Sequence, residues 1–136
     1  MIFLDASVLL AAEDTDDVHH QAAAALLQTG ALATIDLAAY EVINVAERRW
    51  HDADASARLR QRLWAIAELG TLVRADPQLT ERTAELAREH QLSAYDAAYV
   101  AAAQRLSLPL ASCDQRDLVS RGLAQLPAAL LNQRTR

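Results

Sequence analysis

Short apolar segments alternate with longer helical segments along this 136-residue chain, and this alternation limits the fold more than any other feature. Helices that connect parallel strands form right-handed crossovers, so the pattern predicts an α/β fold with a parallel sheet flanked by helices on both faces. The last strand has the weakest pattern, so the sheet has five strands or four. The predicted strands are residues 1–5, 31–35, 71–75, 108–114 and 123–126.

Capping and turn residues set the ends of the helices predicted between these strands. Asp36 is predicted to cap a long helix, Gly70 to end another, and Pro77 to begin a third. The predicted helices are residues 7–13, 18–28, 37–51, 55–69, 77–91, 94–106 and a short segment that ends at 122. We predict a single domain over residues 1–136, in which 132–136 form a polar, flexible tail.

The composition excludes several classes of protein. Hydrophobic residues make up 52% and aromatic residues 4% of the chain, which favours closely packed helices over a β-sandwich and excludes general disorder. The amino terminus lacks the basic region of a signal peptide, no apolar run reaches membrane-spanning length, and Cys113 has no second cysteine to pair with. We therefore expect a cytoplasmic protein that does not contact a membrane.

The charged residues narrow the chemistry further. All 13 basic residues are arginine, so the lysine of a P-loop or of a Schiff-base enzyme is missing. The net charge of −5 argues against a broad nucleic-acid-binding surface. Binding to RNA would then depend on arginines gathered beside a site, and Arg116 is a candidate for that position.

Acidic residues recur where predicted strands end and where predicted helices begin. Asp5 follows the first strand, Asp114 follows the fourth, and Asp117 comes one turn later. Glu41 and Asp96 lie in the early turns of two helices. Sites in parallel sheets form at the carboxyl ends of the strands, so we expect these carboxylates to lie close together.

Structural explanations exist for most of these acids. Those that follow strands can be helix caps, and Ser93 with Asp96 has the spacing of a capping box. Glu41 is too far into its helix for capping, and Asn44 extends the polar notch one turn further. A shared divalent cation explains all the acids together, because it offsets the repulsion between clustered carboxylates and because Mg²⁺ or Mn²⁺ prefers oxygen ligands.

Four motifs, in this order, resemble those of the PIN-domain family, and most closely its VapC-type toxins: MIFLDASVLL, AAYEVINV, LSAYDAAYVAAA and LPLASCDQRDL. The resemblance implies a five-stranded parallel sheet and a Mg²⁺-dependent ribonuclease, for which Mn²⁺ is the expected substitute. By position, the conserved catalytic and metal-binding acids of the family fall on Asp5, Glu41, Asp96 and Asp114, and an additional acid falls on Asp117. Asp5 and Asp96 match the residues credited as direct metal ligands.

Two serines match the small hydroxyl residues that the family carries beside its first and fourth acids. They are Ser7 and Ser112, and a local turn or capping hydrogen bond explains them equally well. Cys113, in the last motif, is expected to be a buried filler without a reactive role.

The same resemblance implies an RNA substrate and a VapB-like antitoxin whose tail crosses the acidic pocket. We also predict a homodimer, because the helices over 37–69 and the alanine-rich Asp96 helix offer apolar surface for a two-fold interface. Two alternatives stay open, a catalytically silent PIN-like domain that binds a protein and a DNA nuclease. A phosphatase with an aspartyl nucleophile is disfavoured, because Ser7 occupies the position of its second acid and the chain has no lysine.

Overall fold

The computed structural model describes residues 1–134 and contains a four-stranded parallel sheet. Its strands are β1 (Ile2–Leu4), β2 (Leu32–Ile35), β3 (Thr71–Val73) and β4 (Leu110–Ala111). They are arranged in the order β3-β2-β1-β4, which confirms the predicted α/β fold. The weak fifth segment contributes only an isolated parallel bridge between Gln125 and Ala111.

Seven α-helices and two π-helical turns lie in the described part of the chain. The helices are α1 (Ala6–Glu13), α2 (His20–Leu26), α3 (Leu37–Asn44), α4 (Ala53–Leu69), α5 (Pro77–His90), α6 (Ala94–Arg105) and α7 (Pro127–Arg134). The π-helical turns are Val45–Arg49, directly after α3, and Gln115–Val119. Among residues 1–134, no helix combines the length and the apolar character needed to cross a membrane.

The predicted cap at Asp36 is wrong. This residue already has a helical backbone conformation (φ −56°, ψ −28°), and its side chain makes no capping hydrogen bond. A capping side chain needs an extended backbone to reach the free N–H groups of its helix. The backbone N–H of Asp36 instead donates to the carbonyl of Val73 at 3.0 Å and holds the end of β2 against β3.

Two predicted helices and the predicted tail also differ from the observed structure. The long helix becomes α3 and a π-helical turn, because His51 adopts a positive φ of 50° and Asp52 then caps α4. The helix predicted before residue 122 is the π-helical turn Gln115–Val119. Helix α7 includes the first three residues of the predicted tail, and the Arg134 guanidinium donates to the Thr29 carbonyl at 2.6 Å. Residues 135–136 lie outside the described residues.

The sheet forms the centre of the hydrophobic core. All residues of β1, β2 and β4 are buried, which explains why these segments are apolar throughout except for Thr34, whose hydroxyl donates to the Leu4 carbonyl. The helices pack in two groups, α5 with α6 and the other five together, as parallel crossovers on two faces require. The register pairs Leu4 with Ala111, so Asp5 and Ser112 follow side by side at the carboxyl edge.

A comparison of two aspartates tests this account of the helix ends. Asp52→Ala is expected to lower the free energy of unfolding by about 1 kcal/mol, because its carboxylate accepts from the Ala55 N–H at 3.0 Å. Asp36→Ala is the matched control and should change it by less than about 0.5 kcal/mol, since no cap is lost. Urea denaturation of both variants measures the difference. A larger loss at Asp36 than at Asp52 would contradict the assignment.

Candidate active site

Asp5 is the most buried acid of the site and caps α1 directly after β1. Only 5% of its surface is exposed. Its Oδ1 accepts from the Ser7 hydroxyl at 2.5 Å and from the Val8 N–H at 3.3 Å, and its Oδ2 accepts from the Ser112 hydroxyl at 2.5 Å. Burial raises the pKa of Asp5 to about 6, although these three donors oppose the shift.

The two serines connect strand ends that are far apart in the sequence. The Ser7 hydroxyl also accepts from the Cys113 N–H at 2.8 Å, and the Ser112 hydroxyl accepts from the Asp114 N–H at 3.0 Å. Each hydroxyl therefore donates to Asp5 and accepts from the segment that follows β4. Local turn bonds alone do not describe these serines, because their contacts hold the two strand ends together.

Three further acids bring their carboxylate oxygens within 4.8 Å of one another: Asp96, Asp114 and Asp117. Asp96 lies in the first turn of α6, and Asp114 caps the second π-helical turn by accepting from the Asp117 N–H at 3.0 Å. Asp117, predicted as an accessory acid, thus belongs to the same cluster as two of the principal ones. Burial raises the pKa of Asp96, and the charges of Asp114 and Asp117 raise it further.

Of the two hydrogen bonds of a capping box, the structure contains the one that uses the backbone N–H of Asp96. The Ser93 hydroxyl accepts from the Asp96 N–H at 3.1 Å, which is the first half of a capping box. In this pair of described residues, the Ser93 N–H does not donate a hydrogen bond to the Asp96 carboxylate. The carboxylate faces Asp114 and Asp117 instead.

Glu41 lies on α3 and, like Asp5, is not one of the three acids whose oxygens lie within 4.8 Å of one another. Its half-buried carboxyl has a pKa raised to about 7, first by burial and then by the charges of Asp5 and Asp96. Asp96 also acts on the pKa of Asp5. These mutual effects place all four principal acids of the sequence analysis in one electrostatic site.

Sequence reasoning missed Tyr99, which follows Asp96 by one helical turn. Its side chain is 2% exposed, and its buried hydroxyl has no hydrogen-bond partner within residues 1–134. Burial raises the phenol pKa, and the carboxylates of Glu41 and Asp5 raise it further. The available signal was its spacing of three residues from Asp96, which places two polar groups on one face of an alanine-rich helix.

The remaining predicted residues lie at the margin of this site. Asn44 and Arg116 are exposed, and neither side chain makes a hydrogen bond or an ion pair in the described part of the chain. Arg121, which was not predicted, approaches Asp117 with 4.0 Å between Nη2 and Oδ1. Burial raises the pKa of the Cys113 thiol to about 12, which fits the expected unreactive role.

The donor set is made entirely of oxygen atoms and carries several negative charges in a small volume. Hard divalent cations such as Mg²⁺ prefer such oxygen ligands and remove the repulsion among them. The residues present therefore fit a divalent cation.

The raised carboxyl pKa values predict how pH changes stability when metal is absent. A carboxyl whose pKa is higher in the folded state stabilises the fold at pH values below its unfolded-state pKa, and this stability is lost as the pH rises. For Glu41 the loss extends from the unfolded-state pKa of 4.5 through the folded-state pKa of about 7. Glu41→Gln should therefore flatten this decline and stabilise the metal-free protein near pH 8 by about 1–2 kcal/mol, a value that allows for screening of a half-buried group.

Denaturation in EDTA across this pH range measures the effect. Glu47→Gln is the matched control, because Glu47 is exposed on the π-helical turn that follows α3, and its profile should match the wild type. Equal slopes in Glu41→Gln and wild type would contradict the burial and crowding of Glu41.

Comparisons with known proteins find relatives in sequence and in fold. Ribonuclease VapC3 of Pyrobaculum aerophilum is 31% identical over 119 residues, which cover 85% of this chain and 90% of that protein. A toxin–antitoxin complex from Klebsiella pneumoniae shares the fold with a TM-score of 0.72 at 20% identity, over 93% of this chain and 98% of that chain. Mycobacterium tuberculosis VapC20, a sarcin–ricin loop cleaving toxin, has a TM-score of 0.68 at 19% identity, over 79% and 85%. Since the PIN domain model matches residues 2–121, this chain belongs to the PIN domain family.

Proposed function

We propose that this chain is a divalent-metal-dependent endoribonuclease, a VapC-type toxin that hydrolyses RNA phosphodiester bonds and is restrained by a cognate antitoxin. The observation that carries the proposal is the cluster of Asp96, Asp114 and Asp117 oxygens within 4.8 Å, beside the buried Asp5. The 31% identity to a protein named Ribonuclease VapC3 supports the same activity. Such a toxin would act on cellular RNA in the cytoplasm.

Mg²⁺ is the proposed cofactor, with Mn²⁺ as a substitute. Asp96, Asp114 and Asp117 would hold it, and Asp5 and Glu41 would complete the negative environment. When bound, the cation offsets the charge that develops on the phosphate and on the attacking and leaving oxygens.

Asp5 and Asp114 have separate proposed roles in the reaction. Asp5 is held by three donors, so its oxygens keep a fixed orientation during the reaction. Asp114 keeps its Oδ2 free of hydrogen bonds within the described chain, while Oδ1 accepts from the Asp117 N–H. That free oxygen is suited to orient a water molecule and accept its proton as the water attacks phosphorus in line.

A catalytically silent domain is a weaker proposal, because clustered and partly buried carboxylates cost stability that such a domain has no need to lose. A DNA nuclease would use the same acids, so the choice of nucleic acid has to be tested directly. Incubation with single-stranded RNA and with DNA of matched sequence distinguishes the two. Cleavage of the DNA alone would contradict the ribonuclease proposal.

Metal dependence is the first prediction of this proposal. Mg²⁺ should raise the melting temperature of the wild type, since a ligand that binds only the folded state stabilises it. Asp96→Asn should reduce this increase strongly and cut RNA cleavage by at least about 100-fold, because a ligand and a charge are lost. EDTA should abolish cleavage, and added Mn²⁺ should restore it.

Asp54→Asn is the matched control, because Asp54 is an exposed aspartate in the first turn of α4. It should keep the full response to Mg²⁺. An equal Mg²⁺ response in Asp96→Asn and wild type would return Asp96 to a capping role.

The second prediction concerns partners. An antitoxin tail that contains arginine can place a guanidinium among the carboxylates through paired hydrogen bonds. Solved structures of similar fold include a toxin–antitoxin complex from Klebsiella pneumoniae and VapBC2 from Rickettsia felis. We propose a homodimer for the chain itself, through its apolar helices.

Co-expression with an antitoxin gene, if one lies immediately upstream, followed by light scattering, tests these partners. The expected result is a stable complex that contains two copies of this chain, and in which the antitoxin lowers both Mg²⁺ binding and RNA cleavage. A chain that stays monomeric and fully active beside the antitoxin would contradict the prediction.

A further inference from the structure

Two exposed tyrosines directly precede acids of the site. Tyr40 precedes Glu41 on α3 and is 74% exposed, and Tyr95 precedes Asp96 on α6 and is 63% exposed. The chain has only three tyrosines, and the third, Tyr99, is buried, so both exposed ones lie beside the acids. Consecutive helix residues point about 100° apart, so each ring projects to the side of its acid and leaves the carboxylate accessible.

The two tyrosines reach the site from opposite faces of the sheet. Helix α3 begins directly after β2, so its amino terminus lies at the carboxyl edge of the sheet. Helix α6 brings its amino terminus to the same edge, because the Asp96 carboxylate approaches that of Asp114, which follows β4. Helix α3 packs with α1 and α4, whereas α6 packs with α5 on the other face. The site therefore has one exposed aromatic ring on each side.

The side chains that follow Tyr40 favour a nucleic acid over a protein as the partner of this surface. The exposed residues between 40 and 50 are all polar: Asn44, Glu47, Arg48 and Arg49. A protein interface needs a continuous apolar patch, which these residues do not provide. Asn44 and Arg48 follow Tyr40 at intervals of about one turn, and neither side chain has a hydrogen bond or an ion pair within residues 1–134. A ring, an amide and a guanidinium are suited to a base face, a base edge and a phosphate.

We propose that Tyr40 and Tyr95 form a two-sided stacking site for unpaired RNA bases, one on each side of the phosphate that lies at the acids. A chain with its phosphate at the acids carries a base on both sides of that phosphate, which matches rings on opposite sides of the site. Stacking accepts every base, because each has a π-face, but it requires bases that are free of a helix. The inference rests on the proposed nuclease function and specifies its substrate as unpaired RNA.

A binding experiment with two probes of equal charge tests the stacking. The probes are fluorescein-labelled single-stranded oligouridylate and an abasic ribose-phosphate chain of the same length, with Ca²⁺ in place of Mg²⁺ as the cation for oxygen ligands. In fluorescence anisotropy, Tyr40→Ala and Tyr95→Ala should each raise the Kd for oligouridylate about 5-fold or more. Neither variant should change the Kd for the abasic chain, because that chain keeps the phosphates and lacks the bases.

Tyr40→Phe and Tyr95→Phe are the matched controls, because they keep the ring and remove only the hydroxyl. Both should bind oligouridylate as tightly as the wild type. Trp64→Ala removes another exposed aromatic side chain, near the end of α4 that leads into β3 and thus away from the carboxyl edge. It should leave the Kd for both probes unchanged.

The outcomes separate this inference from the function on which it rests. A wild type that cleaves RNA, together with unchanged Kd values in both alanine variants, would overturn the stacking site and leave the nuclease proposal standing. Equal losses for oligouridylate and the abasic chain would also overturn it, because the tyrosines would then act on the backbone. A changed oligomeric state in light scattering with unchanged RNA binding would assign the tyrosines to a protein interface instead. A wild type that neither cleaves RNA nor binds oligouridylate would overturn the proposed function and this inference with it.

Discussion

The hydrogen bonds that hold the buried Asp5 carboxylate are the contacts on which the site depends. Ser7 binds one oxygen and Ser112 binds the other, so a single carboxylate ties the end of β1 to the segment after β4. A carboxylate this deeply buried would be costly without such donors. The same hydroxyls accept from the backbone N–H groups of Cys113 and Asp114, so the bonds that hold Asp5 also fix the backbone of Asp114. Beyond the last paired residues of β1 and β4, side-chain hydrogen bonds therefore hold the two strand ends together.

Capping and metal binding are not competing roles for these acids. Asp5 caps α1, Asp114 caps a π-helical turn, and Asp96 lies in the first turn of α6. Helix amino termini offer free N–H groups and a favourable dipole, which partly offset the cost of bringing carboxylates together. The remaining repulsion appears in the raised pKa values of Asp5, Glu41 and Asp96. A bound cation would offset the repulsion that the helix amino termini leave.

The parallel sheet flanked by helices followed from the sequence, because it depends on local patterns of burial and on one topological rule. The expectation that the acids gather at the carboxyl edge of the sheet rests on the same topology. The sequence did not predict features that depend on tertiary contacts. Asp36 has the residue type of a cap, but its backbone is set by pairing with β3. The segment 123–126 is apolar enough for a strand, yet only Gln125 reaches β4. The sequence analysis did not single out Tyr99, because its burial depends on how α6 packs in the core.

An acidic chain can act on RNA only if attraction is concentrated where the substrate binds. The net charge of −5 disfavours a broad phosphate-binding surface, and the proposed site adds to that repulsion. A divalent cation would offset two of the local negative charges while the rest of the surface stays acidic. The Arg121 guanidinium lies 4.0 Å from the Asp117 carboxylate, and Arg116 is exposed on the turn between Asp114 and Asp117. Binding of RNA and binding of metal should therefore be linked, because the cation reduces the repulsion between the carboxylates and RNA, and the RNA phosphates in turn attract the cation.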